Sequence, residues 1–569
     1  MPTTTVQARD IKGLTPAVNA VNSDGTFVLS GKNYVFDSRG PKSAFGSLLV
    51  NDNLVQAPNG FQVVQVLGGH FVCTNEVIAR INPVNFQLEP VLVFEPFQKV
   101  GRWTTGFLNG VQYFCHPGIG VLYWNQRNGQ RGLLDVPGLP GAPIAIVVDN
   151  GRLVVLDEFS LVWSASSDGG NFNPQIGGPG AQLVSDRVSG TPVMVTSYGR
   201  GVFTWTTAGV MRSEFSGGSE VYRHRGINTE YSPVNSFCVV KLDDETSVIL
   251  DSRGLFSSRG EPPVPFTAVF NEFLIEELKK NDSLKENNLR LEWDPFSRRI
   301  YISRSFTLTG ELYDHAFVLY APLEKWGDFS SKHYGFGHGF WLGDDQRLRV
   351  FGGTPHHQTP SVDKGGYSFD ARRLYPELAQ RQRQTKSLSS TIRLAGLPES
   401  QNSSFNVPGL YVFDGSALAS KNRVGLDAKL VVGHFRLQQG FAGDEMSQVN
   451  ELIIGSVESR ALSTSDVDYN IVPDGVSDAD YNVGTGSADF GLNPLTFVNF
   501  DLTMRGSIDG VSTFDVKQPA MNRFSQAMRY YSGGTAGIWH QVEMVAASAG
   551  DFFHVQSLQL NAVPAGRLL

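Results

Sequence analysis

The chain has 569 residues, too many for one hydrophobic core, so several domains are expected. Its 41% hydrophobic residues can build those cores, while 18% charged residues and 61 glycines suit many short strands joined by tight turns. The net charge of −8, from 47 basic and 55 acidic residues, speaks against a basic nucleic-acid reader and fits ordinary solubility.

The N-terminus, MPTTTVQARDIKG, has no basic segment followed by an apolar run, so a signal peptide is not expected. No stretch approaches the roughly 18 apolar residues of a membrane span. The expectation is a chain made and folded in a cytoplasm, with no stable membrane association. Residues 1–370 read as strand, turn, strand almost without interruption. GFQVVQVLGGHFVCT, GVQYFC, GVLYWNQ, GRLVVLDE, GVFTWTT, TSVILDS, RRIYISRS, HAFVLYA and RLRVFGG are short runs rich in Val, Ile, Tyr, Phe and Trp, bounded by Gly, Asn or Asp. A degenerate theme recurs in NGVQYFCHPGIGVLYWN, YGRGVFTWTTAGVMRSEF and HAFVLYAPLEKWGDF: a Gly-containing turn, an apolar strand, a second turn, and a strand ending near an aromatic. Propeller blades are built this way. At roughly 40–50 residues per blade, the region holds about six or seven blades once an insertion is allowed for. A sandwich of the same strands is the structural alternative.

The insertion is VFNEFLIEELKKNDSLKENN, near residues 269–288. It places Phe270, Phe273, Leu274 and Leu278 on one face of an amphipathic helix. A second helical segment, ARRLYPELAQRQRQTKS at 371–387, is polar, basic and free of glycine. It separates two textures and is read as the linker between domains. Its Arg372, Arg373, Arg381, Arg383 and Lys386 could meet phosphate, but a charged face more often meets water. From 388 to 569 the strands alternate more strictly, as in DAKLVVGHFRLQQ, QVNELIIGS, LTFVNFDLTMRG and FFHVQSLQLNAV, which marks half-buried antiparallel strands and a β-sandwich domain. The expected class is therefore all-β: a β-propeller with a small helical insertion and a C-terminal β-sandwich.

Candidate sites are few. Ser166, Asp168 and Gly170 match three positions of the SxDxGxxW Asp-box turn; Asn173 stands where the Trp belongs, and Phe172 comes one residue early. Such a turn is structural, its carboxylate capping backbone N–H groups. Asp466, Asp468 and Asn470, followed by Asp474, Asp478 and Asp480, resemble the start of a calcium loop, but Ile471 replaces the required Gly and Ser477 the bidentate Glu, so a solvated loop is expected and no metal. His356 and His357 are adjacent and point to opposite faces of an extended chain, a poor metal pair. Cys73, Cys115 and Cys238 are far apart and apolar-flanked, so core packing is expected rather than disulfides or zinc. Nucleophile-elbow, HExxH, GxGxxG and P-loop patterns are missing, so no catalytic residue and no cofactor is assigned, and a non-enzymatic role is expected.

Three segments carry a family resemblance: KNYVFDSRGPKSAFG at 32–46, LPGAPIAIVVDNGRLVVLDEFSLVWSASSDGGNF at 139–172, and the closing FFHVQSLQLNAVPAGRLL at 552–569. The middle one, with Trp163, Ser164, Asp168, Asn171 and Phe172, is the most telling. Together they resemble the tail nozzle proteins of short-tailed bacteriophages, also called tail tubular or packaged-DNA stabilisation proteins. The resemblance implies a homo-oligomeric, six-fold ring in the virion tail that continues the channel below the portal and the head-to-tail adaptor. The ring would hold tail fibres or spikes, retain packaged DNA and let it pass at ejection. Asp466, Asp468, Asp474, Asp478 and Asp480 are the candidates for an acidic channel lining. The competing reading is a propeller that binds or hydrolyses host glycans, with Trp103, Trp124, Trp205, Trp326 and Trp341 stacking on sugars. If the boundary lies where the texture changes, limited proteolysis should cut first within 371–387 or 463–490, followed by mass spectrometry of the fragments; early cleavage within 199–253 would count against it.

Overall fold

The computed structural model describes residues 4–8, 11–14, 27–44, 47–51, 62–66, 69–82, 88–97, 99, 101–259, 261–266, 271, 274–278, 289–294, 297–304, 315–329, 335–336, 341–342, 348–358, 405–413, 423–424, 428–436, 445–456, 501–507, 515–517, 520–522, 527–546 and 553–567. Six consecutive antiparallel sheets are laid out at 62–93, 104–133, 143–183, 192–228, 239–265 and 289–329, each with its strands paired in chain order. We number these blades 1 to 6. Their first strands begin at Gln62, Thr104, Pro143, Pro192, Val239 and Leu289, and each of these inner strands lies against that of the next blade along blades 1 to 6. A seventh blade runs Gly335–Phe336, Leu348–Gln358, Phe405–Phe413, Ser47–Asn51, Arg423–Val424. Its Leu348–Gln358 strand lies against Gln62–Val66, so blade 7 adjoins blade 1.

The blades form because their hairpins are short and capped. Asp157 Oδ1 accepts from the N–H groups of Phe159 and Ser160, Asp243 Oδ1 from those of Glu245 (2.8 Å) and Thr246 (2.6 Å), and Asn125 Oδ1 from that of Arg127 at 3.0 Å. These side-chain turns satisfy backbone donors that the ladder cannot reach. Between blades, large side chains fill the wedge: Val154, Leu156, Trp163, Val202, Phe203, Trp205 and Tyr222 belong to one buried cluster spanning blades 3 and 4. The helical insertion is seen at residue 271 and residues 274–278. Leu274 and Leu278 are fully buried among Cys238, Leu289 and Trp326 of blades 5 and 6, and the Asn271 amide bonds both the N–H (2.9 Å) and the C=O (3.1 Å) of Leu255. Among the described residues no helix is long and apolar enough to cross a membrane.

The C-terminal domain is a two-sheet sandwich. One sheet runs Thr4–Ala8, Val555–Arg567, Glu445–Ser456, Ala527–Gly537, Ala520–Asn522; the other runs Lys12–Leu14, Phe27–Lys32, Ala428–Arg436, Trp539–Ala546, Asp501–Ser507, Asp515–Lys517. Alternate residues such as Leu430, Val432, Val542 and Met544 from one sheet meet Leu452, Ile454, Leu558 and Leu560 from the other. The sheets do not respect the division expected from texture. The strands at 4–32 pair with C-terminal partners, and those at 405–413 and 423–424 pair within blade 7, because open sheet edges recruit whichever strand the chain brings there. The proposed linker at 371–387 lies outside the described residues.

The segment at 34–43 joins the two bodies. Tyr34–Asp37 and Gly40–Ser43 extend blade 6, yet Tyr34 and Phe36 are fully buried in the sandwich core. Gly40 has φ +147°, and a Cβ there would sit 2.0 Å from the Val555 carbonyl oxygen, so only glycine lets this hairpin approach the last strand. Arg299 of blade 6 donates from Nε (3.0 Å) and Nη2 (2.9 Å) to the Phe36 carbonyl. Phe36→Ala should cost about 3–5 kcal/mol. Scanning calorimetry should show propeller and sandwich melting earlier together; a shift in one of two separate transitions would show that the bodies fold independently.

Candidate functional site

The Asp-box-like turn lies between strands Ser160–Trp163 and Gly180–Leu183 of blade 3. Asp168 Oδ1 accepts from the Gly170 N–H at 3.0 Å, Ala165 N–H donates to the Asn171 carbonyl at 2.8 Å, and Ser167 takes a left-handed φ of 60°. Ser166 and Asp168 are exposed, while Phe172 is buried against Tyr113, Val155 and Val162. Phe172 thus anchors the turn from the position one residue ahead of the Asp-box Trp. A Cβ on Gly169 would meet the Tyr113 hydroxyl at 2.5 Å, so blade 2 abuts the turn directly. Burial, followed by the Asp168 charge, pushes the Tyr113 phenol up to about 12. The carboxylate is engaged with its own turn, which holds blades 2 and 3 together and offers no reacting group.

Asp466, Asp468, Asp474, Asp478 and Asp480 lie outside the described residues. The strand carrying His356 and His357 lies in blade 7, where the two residues pair in register with Val407 and Asn406. Trp103, Trp205 and Trp326 are buried core residues, and Trp124 packs half-buried against Phe71 with ring centroids 6.0 Å apart. Trp103, Trp205 and Trp326 therefore present no open face for a sugar. All three cysteines are buried; burial holds each thiol well above its ordinary range, Cys238 at about 12. Among the described residues no group of His, Cys, Asp and Glu could hold a metal ion.

Polar chemistry concentrates in four places. On the propeller axis, Arg102 leads into the inner strand of blade 2 and donates to the Ser236 and Val239 carbonyls of blade 5, across the ring. Beside it Arg290 and Glu292, on the inner strand of blade 6, form a buried pair at 2.6 Å. Burial pulls the Arg102 guanidinium below its usual value. Here the axis is closed by side chains.

At the edge of blade 3, Asp149 accepts from the Tyr222 hydroxyl of blade 4 at 2.9 Å, and burial raises the Asp149 carboxyl above the normal range. In the sandwich, Ser447 Oγ is 2.7 Å from His540 Nε2, the pairing that activates a serine nucleophile. The hydroxyl also donates to the Gly537 carbonyl at 3.0 Å, and both residues are buried within the sandwich sheets.

The fourth place is the junction, where Asp37 meets Lys42 at 3.2 Å and the buried His554 at 3.2 Å. Asp37 Oδ1 also accepts from the N–H groups of Arg39 (2.8 Å) and Gly40 (3.2 Å). Burial opposes ionisation of Asp37, but the His554 hydrogen bond, the Lys42 and His554 charges and the Arg39 N–H outweigh it and hold the carboxyl well below the usual carboxylate range. Motif reading missed this site, although the tetrapeptide Asp-Ser-Arg-Gly signals it by occurring twice, at 37–40 and 251–254. At the second copy Asp251 Oδ1 accepts from the Arg253 N–H (2.8 Å) and Arg253 Nε (3.1 Å), so the turn closes on itself. At the first copy the carboxylate is turned toward the sandwich.

These features define an all-β propeller protein with an attached sandwich whose polar clusters sit at blade contacts and at the domain junction. Neither family models nor curated proteins match the chain. Among solved structures it is similar to a chain described as YCF48 bound to D1 peptide, at 13% identity and a TM-score of 0.33 over 52% of this chain and 90% of that one. It is similar also to U3-55K, at 9% identity and a TM-score of 0.33 over 55% of this chain and 91% of that one, and to a nidogen/laminin complex chain, at 9% identity and a TM-score of 0.28 over 50% and 93%.

Because the folded carboxyl of Asp37 is depressed, its contribution is fully present above the unfolded value near 4 and is lost as pH falls through the folded value. Asp37→Asn should destabilise the protein by about 2 kcal/mol at neutral pH. The gap between wild type and variant in urea unfolding should narrow as pH drops below about 4; a gap independent of pH would remove the ionic role of Asp37.

Proposed function

We propose that the chain is a structural subunit of the tail nozzle of a short-tailed bacteriophage. In this reading six copies form a ring on the tail axis beneath the adaptor, retain packaged DNA, and serve as conduit for its ejection. The ring also provides the seat for fibres or spikes. One observation carries the reading beyond sequence resemblance: the first 51 residues stitch the molecule together. The strands at 4–8, 12–14 and 27–32 complete both sandwich sheets, 34–43 extend blade 6 and enter the sandwich core, and 47–51 lie inside blade 7. A pull between the two bodies therefore loads hydrogen-bonded ladders rather than a flexible tether. That suits a part that must hold shape against internal pressure.

The closed propeller axis bears on where DNA would run. With Arg102 spanning blades 2 and 5, the conduit would be the space enclosed by the six copies and not the axis of any one. Six chains would carry about −48 in net charge. A lining that repels phosphate keeps friction low, whereas a basic lining holds DNA by counterion release.

An electron cryo-microscopy reconstruction of the assembled tail tests the reading. The expected result is a closed ring of this chain on the tail axis, with more Asp and Glu than Lys and Arg facing the lumen. A single copy, an off-axis position or a lumen lined mainly by arginine and lysine would overturn it.

A further inference from the structure

Blade 4 differs from the other blades at its rim. Its outermost strand, Tyr222–Asn228, is seven residues long and pairs in unbroken register with Gly209–Phe215. The corresponding strands of blades 2, 3 and 5 are three, four and two residues long. That of blade 1, Leu88–Val93, contains Pro90 and a register break. Blade 6 is extended by 34–43, and blade 7 holds 47–51 and 423–424. Proteins keep strand edges short, interrupted or covered, because an open edge is a template for another strand. Among the described residues no strand pairs with the outer side of the long regular edge of blade 4, although the Arg187 carbonyl packs on Gly226 and the Ser189 N–H donates to Asn228 Oδ1.

We propose that this edge docks an extended acidic peptide segment of a partner protein, which adds to blade 4 as a fifth strand. Arg223 and Arg225 are exposed and share one face of the strand, about 7 Å apart. Neither side chain has a partner among the described residues. Across the ladder, Arg223 lies opposite Glu214 and Arg225 opposite Arg212, and Arg212 already engages Glu214. Arg212 also has the Glu261 carboxylate at 4.0 Å, so both nearby carboxylates are engaged by Arg212, and Arg223 and Arg225 leave the face with a cationic excess. On the opposite face His224 is occupied by Ser213 Oγ at 2.8 Å and by the Trp163 ring at 5.7 Å, so the strand is held on that side.

Chemistry selects the occupant. The same strand from a second copy would set arginine against arginine, and like charges directly opposite one another destabilise a ladder. An acidic strand presents carboxylates every second residue at the spacing of the two arginines. Guanidinium forks bind carboxylates in two parallel hydrogen bonds. The backbone of the added strand supplies affinity and the alternating side chains supply selectivity. The inference is independent of the ring.

The test is fluorescence anisotropy of the purified full chain with a labelled peptide of about twelve residues alternating Asp and Thr. Binding is expected, and Arg223→Glu and Arg225→Glu should each weaken it roughly tenfold. Both residues are exposed, and unchanged thermal melting of the variants confirms folding. N-methylation of every second peptide amide distinguishes strand addition from simple charge attraction. One phase should abolish binding and the other leave it intact, since only alternate amides of an added strand face the edge. Absence of binding by the wild-type chain would overturn the proposal, as would equal sensitivity to both phases. Equally tight, arginine-dependent binding of a single-stranded oligonucleotide of the same charge would overturn it in favour of a phosphate backbone.

Discussion

An unpaired strand edge leaves backbone donors and acceptors without partners, and in this chain satisfying those edges decides the architecture. Both sandwich sheets gain an edge from the strands at 4–8, 12–14 and 27–32, and in blade 7 the strand at 47–51 lies between Phe405–Phe413 and Arg423–Val424, pairing with both. The N-terminal stretch meets these demands in order as it passes from sandwich to blade 6 to blade 7. Because strands of this one stretch enter four sheets, none of the four can lose its strand without exposing unpaired backbone. The two bodies are coupled by pairing and not only by surface contact.

Burial of polar groups follows the same logic. Asp37, Asp157, Asp168, Asp243 and Asp251 each give a carboxylate oxygen to the N–H groups of their own turn. Asp168 and Asp243 are exposed, whereas for half-buried Asp37 and Asp157 and buried Asp251 such donors replace the water that burial removes. Asp37 adds a lysine and a histidine from the junction, and it is the only one of the five that reaches into the other domain. The two Asp-Ser-Arg-Gly copies show how little sequence separates the uses. In one, Arg253 returns to Asp251 and lies over the Tyr231 ring at 4.3 Å; in the other, the next strand is drawn to within contact of Val555 and the carboxylate faces His554.

The propeller interior is held by charge as well as by packing. Arg102 reaches across the axis to backbone carbonyls, and Arg290 and Glu292 pair beside it out of water. Charges buried at this depth persist only when hydrogen bonds replace their hydration, so they fix the positions of blades 2, 5 and 6 relative to one another. The outer strands face the contrary situation. There arginines stand in solvent, and the rim of blade 4 combines free charge with free backbone.

Much of the fold was legible in the sequence because it is written locally. Runs of Val, Ile and aromatics between Gly and Asp turns gave the blade strands, strict alternation such as Leu430 and Val432 gave the sandwich, and the spacing of Leu274 and Leu278 gave the buried helix face. At Ser166, Asp168 and Gly170 the sequence marks a turn in which Asp168 caps the Gly170 N–H, and an Asx cap needs only neighbours in the chain. Pairing between distant segments carries no local mark. Residues 4–32 have the same strand texture as blades, and nothing in their composition says that Thr4–Ala8 meets Val555–Arg567. The junction of Asp37, Lys42 and His554 joins residues more than 500 positions apart, and Arg102 reaches carbonyls of Ser236 and Val239 that every residue possesses. Strand identity is a property of short-range periodicity, and so the sequence determined it alone. Which strand closes which edge depends on the whole chain being in place, and only the tertiary structure decided that.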